Sequence, residues 1–290
     1  MQQRDVVIIG GGPAGRVIVH ALHSQNSSKS VTLIKDEEIN VNRCAVPYGI
    51  SDNKPIEKFK IPNKLVTDFG AELVVYRAVK IDTNRKQVHT QNGQSYGYQD
   101  LVLATGSKPL VPPIAGVDLA GVTPVRSLKD LVTLRGFAAA GQKAVIVGGG
   151  YIGIEVAVVL RQMGLEVDVV EMLPQMLMAA TEPEFITDVE KTLDAEGVRL
   201  LTNRKVAEFR NRNGRGVDIK LENGETLAAD FAVLSVGVVP NIELAAEAGI
   251  QMGATLEDLL SYQYATHPEL AAKPSDNAYV FAARDAYDKL

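Results

Sequence analysis

The chain has 290 residues, 46% of them apolar, and a formal net charge of −5. That length suffices for two domains with a sizeable core. The slightly acidic balance argues against a nucleic-acid or membrane-surface partner, either of which usually leaves a basic patch, and no apolar run approaches the ~20 residues that cross a bilayer. Cys44 is the only cysteine, which excludes an intramolecular disulfide and a cysteine-based metal site. His20, His23, His89 and His267 are scattered, with no acidic ligand at a metal-site spacing, so no metal is expected.

The first predicted element is a buried strand, Asp5 to Ile9. It lacks the basic start, long apolar stretch and cleavage site of a signal peptide, so the chain is expected in the cytoplasm. Gly10-Gly11-Gly12-Pro13-Ala14-Gly15 follows, then a helix on which Val17, Ile18, Ala21 and Leu22 share a face. A second strand, Val31 to Ile34, ends at Lys35 and Asp36. After β-rich segments come the hairpin signal Asn92-Gly93, then Asp100, an apolar strand and Gly106. The same order then repeats. Ala144 to Val147 runs into Gly148-Gly149-Gly150-Tyr151-Ile152-Gly153 and a helix with Ile152, Val156, Val159, Leu160 and Met163 on one face, stopped at Gly164. The strand Val167 to Val170 ends at Glu171, and Asn223-Gly224, Asp230, an apolar strand and Gly237 follow. Gly93 and Gly106 are as far apart as Gly224 and Gly237. A duplication of alternating strands and helices predicts an α/β fold: two Rossmann-like three-layer dinucleotide-binding domains, each with a β-meander insertion.

Each G-x-G-x-x-G turn has a physical task. The first glycine permits the tight turn, the second lets backbone approach a pyrophosphate, and the third lets helix pack on strand. The helix N-terminus then offers free N–H groups to the phosphates. Gly10, Gly12 and Gly15 form the first such turn and Gly148, Gly150 and Gly153 the second, each between a strand and a helix. An acid at the end of the second strand takes the ribose hydroxyls. In the second copy it is Glu171, which favours NAD over NADP because a carboxylate repels a 2′-phosphate. In the first copy either Asp36 reaches the ribose or Lys35 contacts it differently.

These residues, with Asn42-Arg43-Cys44-Ala45-Val46-Pro47-Tyr48, Leu103-Ala104-Thr105-Gly106 and Ser235-Val236-Gly237-Val238-Val239-Pro240-Asn241, resemble the pyridine nucleotide–disulfide oxidoreductases. Within them the likeness is to the single-cysteine branch of NADH oxidases, NADH peroxidases, coenzyme A-disulfide reductases and persulfide reductases. The resemblance implies FAD at Gly10, Gly12, Pro13, Ala14, Gly15, Lys35, Asp36, Arg43, Cys44, Ala104, Thr105, Gly106 and Arg126. It implies NAD(H) at Gly148, Gly150, Tyr151, Ile152, Gly153, Glu171 and Gly237, with NADP(H) less favoured. Glu155 is implied near the flavin ring, and Cys44 beside the flavin, cycling between thiolate and a sulfenic acid or mixed disulfide; the thiolate is the reactive form. Gly49 stands where a dithiol mechanism needs a second cysteine, and Ala45 replaces the usual glycine after the cysteine. Tyr48 either lines the substrate pocket or packs under the loop. Arg126 is a flavin neighbour or a surface arginine. The Arg- and Asn-rich segment from Asn203 to Arg215 reads as a solvated hairpin, not a phosphate site.

The implied organisation is an FAD-binding domain at 1–111 (with part of 242–253), an NAD(H)-binding domain at 112–241, and a short helical remnant of a dimerisation domain at 254–290. The family's Ala-Gly-Asp segment is not recognisable, so the chain reads as abridged between Gly253 and Ala254. The FAD domain is then expected to lose a strand and expose an apolar edge, and NADH binding to survive better than FAD binding. Tyr264 either approaches a partner subunit's flavin site in a homodimer or is a packed aromatic. The function implied is transfer of hydride from NADH to FAD and then through Cys44 to a coenzyme A disulfide, a persulfide, a peroxide or oxygen. The alternatives are an NADH-dependent reductase of a small electron-carrier protein with Cys44 idle, and a non-catalytic nucleotide-binding fragment.

Overall fold

A computed structural model of the chain describes residues 2–51, 55–178 and 183–250; Tyr264 and the proposed 254–290 remnant lie outside them. The first half opens with β1 (Gln2–Ile9), α1 (Pro13–Ser24) and β2 (Val31–Lys35), then a short helix α2 (Val46–Gly49), β3 (Glu72–Val75), β4 (Ala78–Asp82), β5 (Gln87–Thr90) and β6 (Ser95–Leu103). These strands form one sheet in the order β3-β2-β1-β6-β5-β4. The β3-β2-β1-β6 part is parallel, with Ile9 level with both Ile34 and Leu103. The antiparallel hairpin β4-β5 joins it through the first residues of β6.

A small strand β7 (Ser107–Pro109) leads to the second half: β8 (Val122–Pro124), α3 (Leu128–Ala140), β9 (Lys143–Val147), α4 (Tyr151–Gln162), β10 (Glu166–Val170), α5 (Pro183–Ala195) and β11 (Val198–Leu201). Three meander strands follow, β12 (Val206–Asn211), β13 (Val217–Leu221) and β14 (Thr226–Ala229), and then β15 (Phe231–Leu234) and β16 (Val238–Pro240). The parallel sheet has the order β8-β15-β9-β10-β11, and the meander is a separate sheet β12-β13-β14. β16 returns to pair antiparallel with β7. Residues 242–290 group as a separate unit, whose described part holds the short helix α6 (Glu243–Glu247).

The duplication is visible in register. Val147 lies level with Val170 and Leu234, as Ile9 does with Ile34 and Leu103. It is also imperfect. In the second half β8 covers the outer edge of β15, and Phe231 to Leu234 are all buried. Among the described residues no strand flanks β6 beyond Tyr98 on the side away from β1, and Leu101, Val102 and Leu103 are only half-buried.

The paired histidines serve packing. His20 and His23 stand one turn apart on α1 and both lie against the Phe69 ring, with centroids at 4.9 and 5.1 Å. Among the described residues no cluster of three or more His, Cys, Asp or Glu could hold a metal, and no helix is long and apolar enough to cross a membrane.

Candidate active site

Both glycine turns have the same geometry. Gly10 sits at φ +122° and Gly148 at φ +106°, conformations that L side chains rarely adopt. A Cβ on Gly10 would collide with the Ala104 carbonyl oxygen, and one on Gly148 would lie 2.5 Å from that of Ser235. A Cβ on Gly15 or Gly153 would collide with the carbonyl oxygen of Gly10 or Gly148. These four glycines are demanded by the fold itself. Gly12 and Gly150 are different. They are the N-caps of α1 and α4, with ordinary extended backbone at φ −71° and −78°, and a Cβ on either meets nothing within 4 Å. The protein's own packing does not require glycine there; a ligand lying on the backbone would.

No side chain caps α1 or α4, so their first-turn N–H groups are left for another acceptor. The chain can cap a helix elsewhere: Ser127 and Asp130 form a reciprocal capping box on α3. A pyrophosphate fits both turns.

One arginine lies at the first turn, and two more flank the neighbouring stretch at Gly106 and Ser107. The Arg16 Nε donates to the Gly12 carbonyl at 3.3 Å. Arg43 pairs with Glu37 at 3.0 Å and reaches toward Gly106. Arg126 donates to Ser107 Oγ at 3.0 Å, and burial, reinforced by nearby Arg43, pushes its guanidinium below the usual value. Lys35 lies beneath the loop, its stem against Gly11. Its ammonium donates to Asn40 Oδ1 and Asn63 Oδ1, each at 2.6 Å, and burial lowers its pKa. Lys35 therefore has its donors turned inward, while Asp36 is exposed.

Glu171 occupies the matching place beneath the second loop, against Gly149. Its carboxylate accepts from the N–H of Gly149 at 2.6 Å and from that of Leu173 at 2.8 Å. A cavity of about 570 Å3 opens here, within the usual range for ligand sites. It runs from Glu171, Met172 and Arg204 past Gly148, Gly150, Tyr151 and Ile152 to Arg126, Gly237 and Val238. Thr105 Oγ1 donates to the Asn241 carbonyl, and Asn241 Nδ2 donates back to that of Thr105, both at 2.8 Å.

Cys44 lies on the segment that joins the two halves. Val46 and Ile50 are fully buried in the core formed by α3, α4 and β9, and Arg135 of α3 donates to the Gly49 carbonyl at 2.8 Å. That anchoring leaves Cys44 and Tyr48 as exposed positions four residues apart on consecutive helical turns, the spacing of same-face neighbours. The Tyr48 hydroxyl, on a side chain 54% exposed, donates to Glu155 Oε1 at 2.8 Å. That bond holds the phenol above its ordinary pKa. Since Glu155 is on α4, the cysteine segment is tied to the helix that opens the second cradle.

The structure thus brings together Tyr48 and Glu155, with Cys44 exposed on the same segment as Tyr48, and separately the two sets of loop residues expected from the glycine pattern. Sequence reasoning missed Glu37, Asn40, Asn63, Ser107 and Arg204. The partners of Asn63, Ser107 and Arg204 are distant in sequence, those of Glu37 and Asn40 lie on the same short stretch, and none of the five stands in a recognisable motif.

The sequence profile of the pyridine nucleotide-disulphide oxidoreductases matches residues 4–258. The chain belongs to that family. The family works with FAD and NAD(H), and its named members here are oxidoreductases. Rubredoxin-NAD(+) reductase of Pseudomonas putida is 29% identical over 265 residues, covering 87% of this chain and 67% of that protein. An NADH oxidase of Methanocaldococcus jannaschii is 32% identical over 260 residues, covering 85% and 57%. Among solved structures, a ferredoxin reductase from Rhodopseudomonas palustris superposes with a TM-score of 0.80 at 30% identity, covering 84% of this chain and 62% of that one. The chain therefore spans between a little over half and two thirds of the length of these relatives.

Proposed function

We propose that the chain takes electrons from NADH in the second cradle and delivers them, by way of the first, to an acceptor reduced at Cys44. Residues 1–111 are assigned to FAD and 112–241 to NAD(H). FAD, when bound, supplies the two-electron relay between nicotinamide and thiol. The chain's own groups do the rest. Gly12, Gly150 and the uncapped first turns of α1 and α4 receive the pyrophosphates, with Arg16, Arg43 and Arg126 offsetting the charge at the first. Glu171 braces the second loop. The Cys44 thiolate attacks one sulfur of a disulfide acceptor, a Cys44–S–S–R bond forms, and the first thiolate leaves and is protonated. Two electrons originating in NADH then break the mixed disulfide, restoring the Cys44 thiolate and releasing the second thiol.

The observation that carries this reading is the exposed Cys44–Tyr48 face, held against Glu155 of the second cradle's helix by a 2.8 Å hydrogen bond. Cys44→Ser tests it. NADH-dependent reduction of coenzyme A disulfide is expected to fall about 100-fold or more, because the nucleophile is gone, while NADH-driven reduction of a dye is unchanged.

A second reading, reduction of a small electron-carrier protein with Cys44 idle, is favoured by the relatives named as rubredoxin and ferredoxin reductases. It wins if the serine variant keeps every activity of the parent.

A further inference from the structure

Strand β2 ends in a base where β10 is followed by an acid. Lys35 and Glu171 lie beneath the two glycine loops in matching places, against Gly11 and Gly149. Glu171 accepts the Gly149 N–H at 2.6 Å. An ammonium has donors only, so Lys35 cannot take the Gly11 N–H in that way. Lys35 is 5% exposed, and a buried charge must find partners. Its ammonium meets three oxygens: Asn40 Oδ1 and Asn63 Oδ1, each at 2.6 Å, and the Glu38 carbonyl at 3.3 Å. Three donors meet three acceptors, so the head is fully used inside the protein.

These bonds give a direction to the polar chain beyond them. Facing an ammonium, Asn40 turns its oxygen to Lys35. Its amide nitrogen then points away and donates to Glu37 Oε2 at 3.4 Å. The other oxygen of Glu37 receives Arg43 Nη2 at 3.0 Å, and Arg43 Nη1 flanks Gly106. A carboxylate in place of Lys35 would reverse the Asn40 amide and set its oxygen against Glu37. The Glu37–Arg43 pair is part-exposed, and such pairs are weak because two long side chains must be held in one geometry. Asn40 holds the glutamate from behind and removes part of that cost.

We infer that Lys35 is a positioning residue: through Asn40 and Glu37 its ammonium sets the Arg43 guanidinium beside Gly106, where that cation offsets the charge of the flavin cofactor's pyrophosphate. Lys35 itself does not touch the cofactor. The inference rests on the first cradle being the FAD site. It also carries a pH dependence. Burial lowers the Lys35 pKa, Arg16 acts in the same direction, and Glu37, Asp36 and Glu38 oppose. The ammonium is therefore lost at a lower pH than that of an ordinary lysine, while the three carboxylates and Arg16 keep their charge.

Titration of the flavin-stripped full chain with FAD, followed by fluorescence, tests this. Lys35→Met keeps a stem against Gly11 and removes the donors. At neutral pH it is expected to bind FAD roughly tenfold more weakly than the parent. That ratio should shrink toward one as the pH is raised to about 10, because the parent then loses the ammonium that the variant lacks. Asn40→Ala removes no charge but interrupts the chain. It is expected to give a similar loss at neutral pH, and the double variant no further loss, since one chain carries both effects. An unchanged affinity in Asn40→Ala would mean that Lys35 acts by its charge alone, and overturns the inference. A Lys35→Met ratio that is constant with pH, or additive losses in the double variant, overturns it too, as each makes Lys35 a packing residue. A parent chain that binds no FAD overturns the FAD reading of the first cradle, and this inference with it.

Discussion

Valine in place of Gly12 or Gly150 is expected to weaken dinucleotide binding at the altered turn by about 100-fold or more, ~2.7 kcal/mol, with little change in thermal stability. Both positions have extended backbone that any residue adopts, and the added carbon would point into open space. The chain therefore has no internal reason to object. A pyrophosphate resting on the backbone does, because the side chain would occupy the space through which it approaches the first-turn N–H groups. Gly12→Val should yield protein without flavin that still binds NADH. Gly150→Val should yield flavoprotein that NADH reduces only at much higher concentration. Binding is read by calorimetry and bound flavin by absorbance. Unchanged binding in either variant would mean that the open glycine has no ligand above it.

The third glycines should behave oppositely. Gly15→Ala or Gly153→Ala places a methyl against a backbone carbonyl of the same turn, and a carbonyl cannot rotate away as a flexible side-chain end does. Forcing the loop apart is expected to cost about 3 kcal/mol, which lowers the melting temperature by roughly 6–12 °C in a unit of this size. Calorimetric melting of the two variants beside Gly12→Val decides it. The contrast matters more than either number: one glycine of each turn is tied to ligand binding and the other to folding. Equal melting of all the variants would remove that distinction.

The glycine turns and the strands around them were legible because each signal is local. A buried strand, a turn needing φ > 0 and an amphipathic helix follow one another within about 20 residues. Glu171 was placed by the same logic, at a strand end. The first copy was harder, since Lys35 stands at the equivalent position. Only the fold shows that its ammonium is enclosed by Asn40 and Asn63. The Tyr48–Glu155 bond joins residues 107 apart, and no spacing encodes such a contact. A period-2 pattern identifies a strand but not its sheet. The first hairpin, β4-β5, continues the parallel sheet through β6, whereas the second meander stands as a sheet of its own. Arg204 was absorbed into a polar stretch for a similar reason: its backbone is fixed by Glu171, on the other side of α5 in sequence.

The outer edge of β6, unpaired beyond Tyr98 among the described residues, bears directly on flavin retention. The half-burial of Leu101 to Leu103 contrasts with the full burial of Phe231 to Leu234 and makes the first half's sheet the less complete among the described residues. The glycine turn and the Arg16–Gly12 contact, on which FAD is proposed to rest, are nonetheless in place, as is the neighbouring Thr105–Asn241 clasp.

The central claim is that both cradles are filled and that electrons pass between them. Anaerobic titration of the purified, flavin-loaded chain with NADH, followed by visible absorbance, tests it most directly. Bleaching of the flavin bands, complete near one equivalent of NADH per flavin, is the result expected. A protein that takes up no flavin, or whose flavin bands persist with NADH in excess, would contradict it.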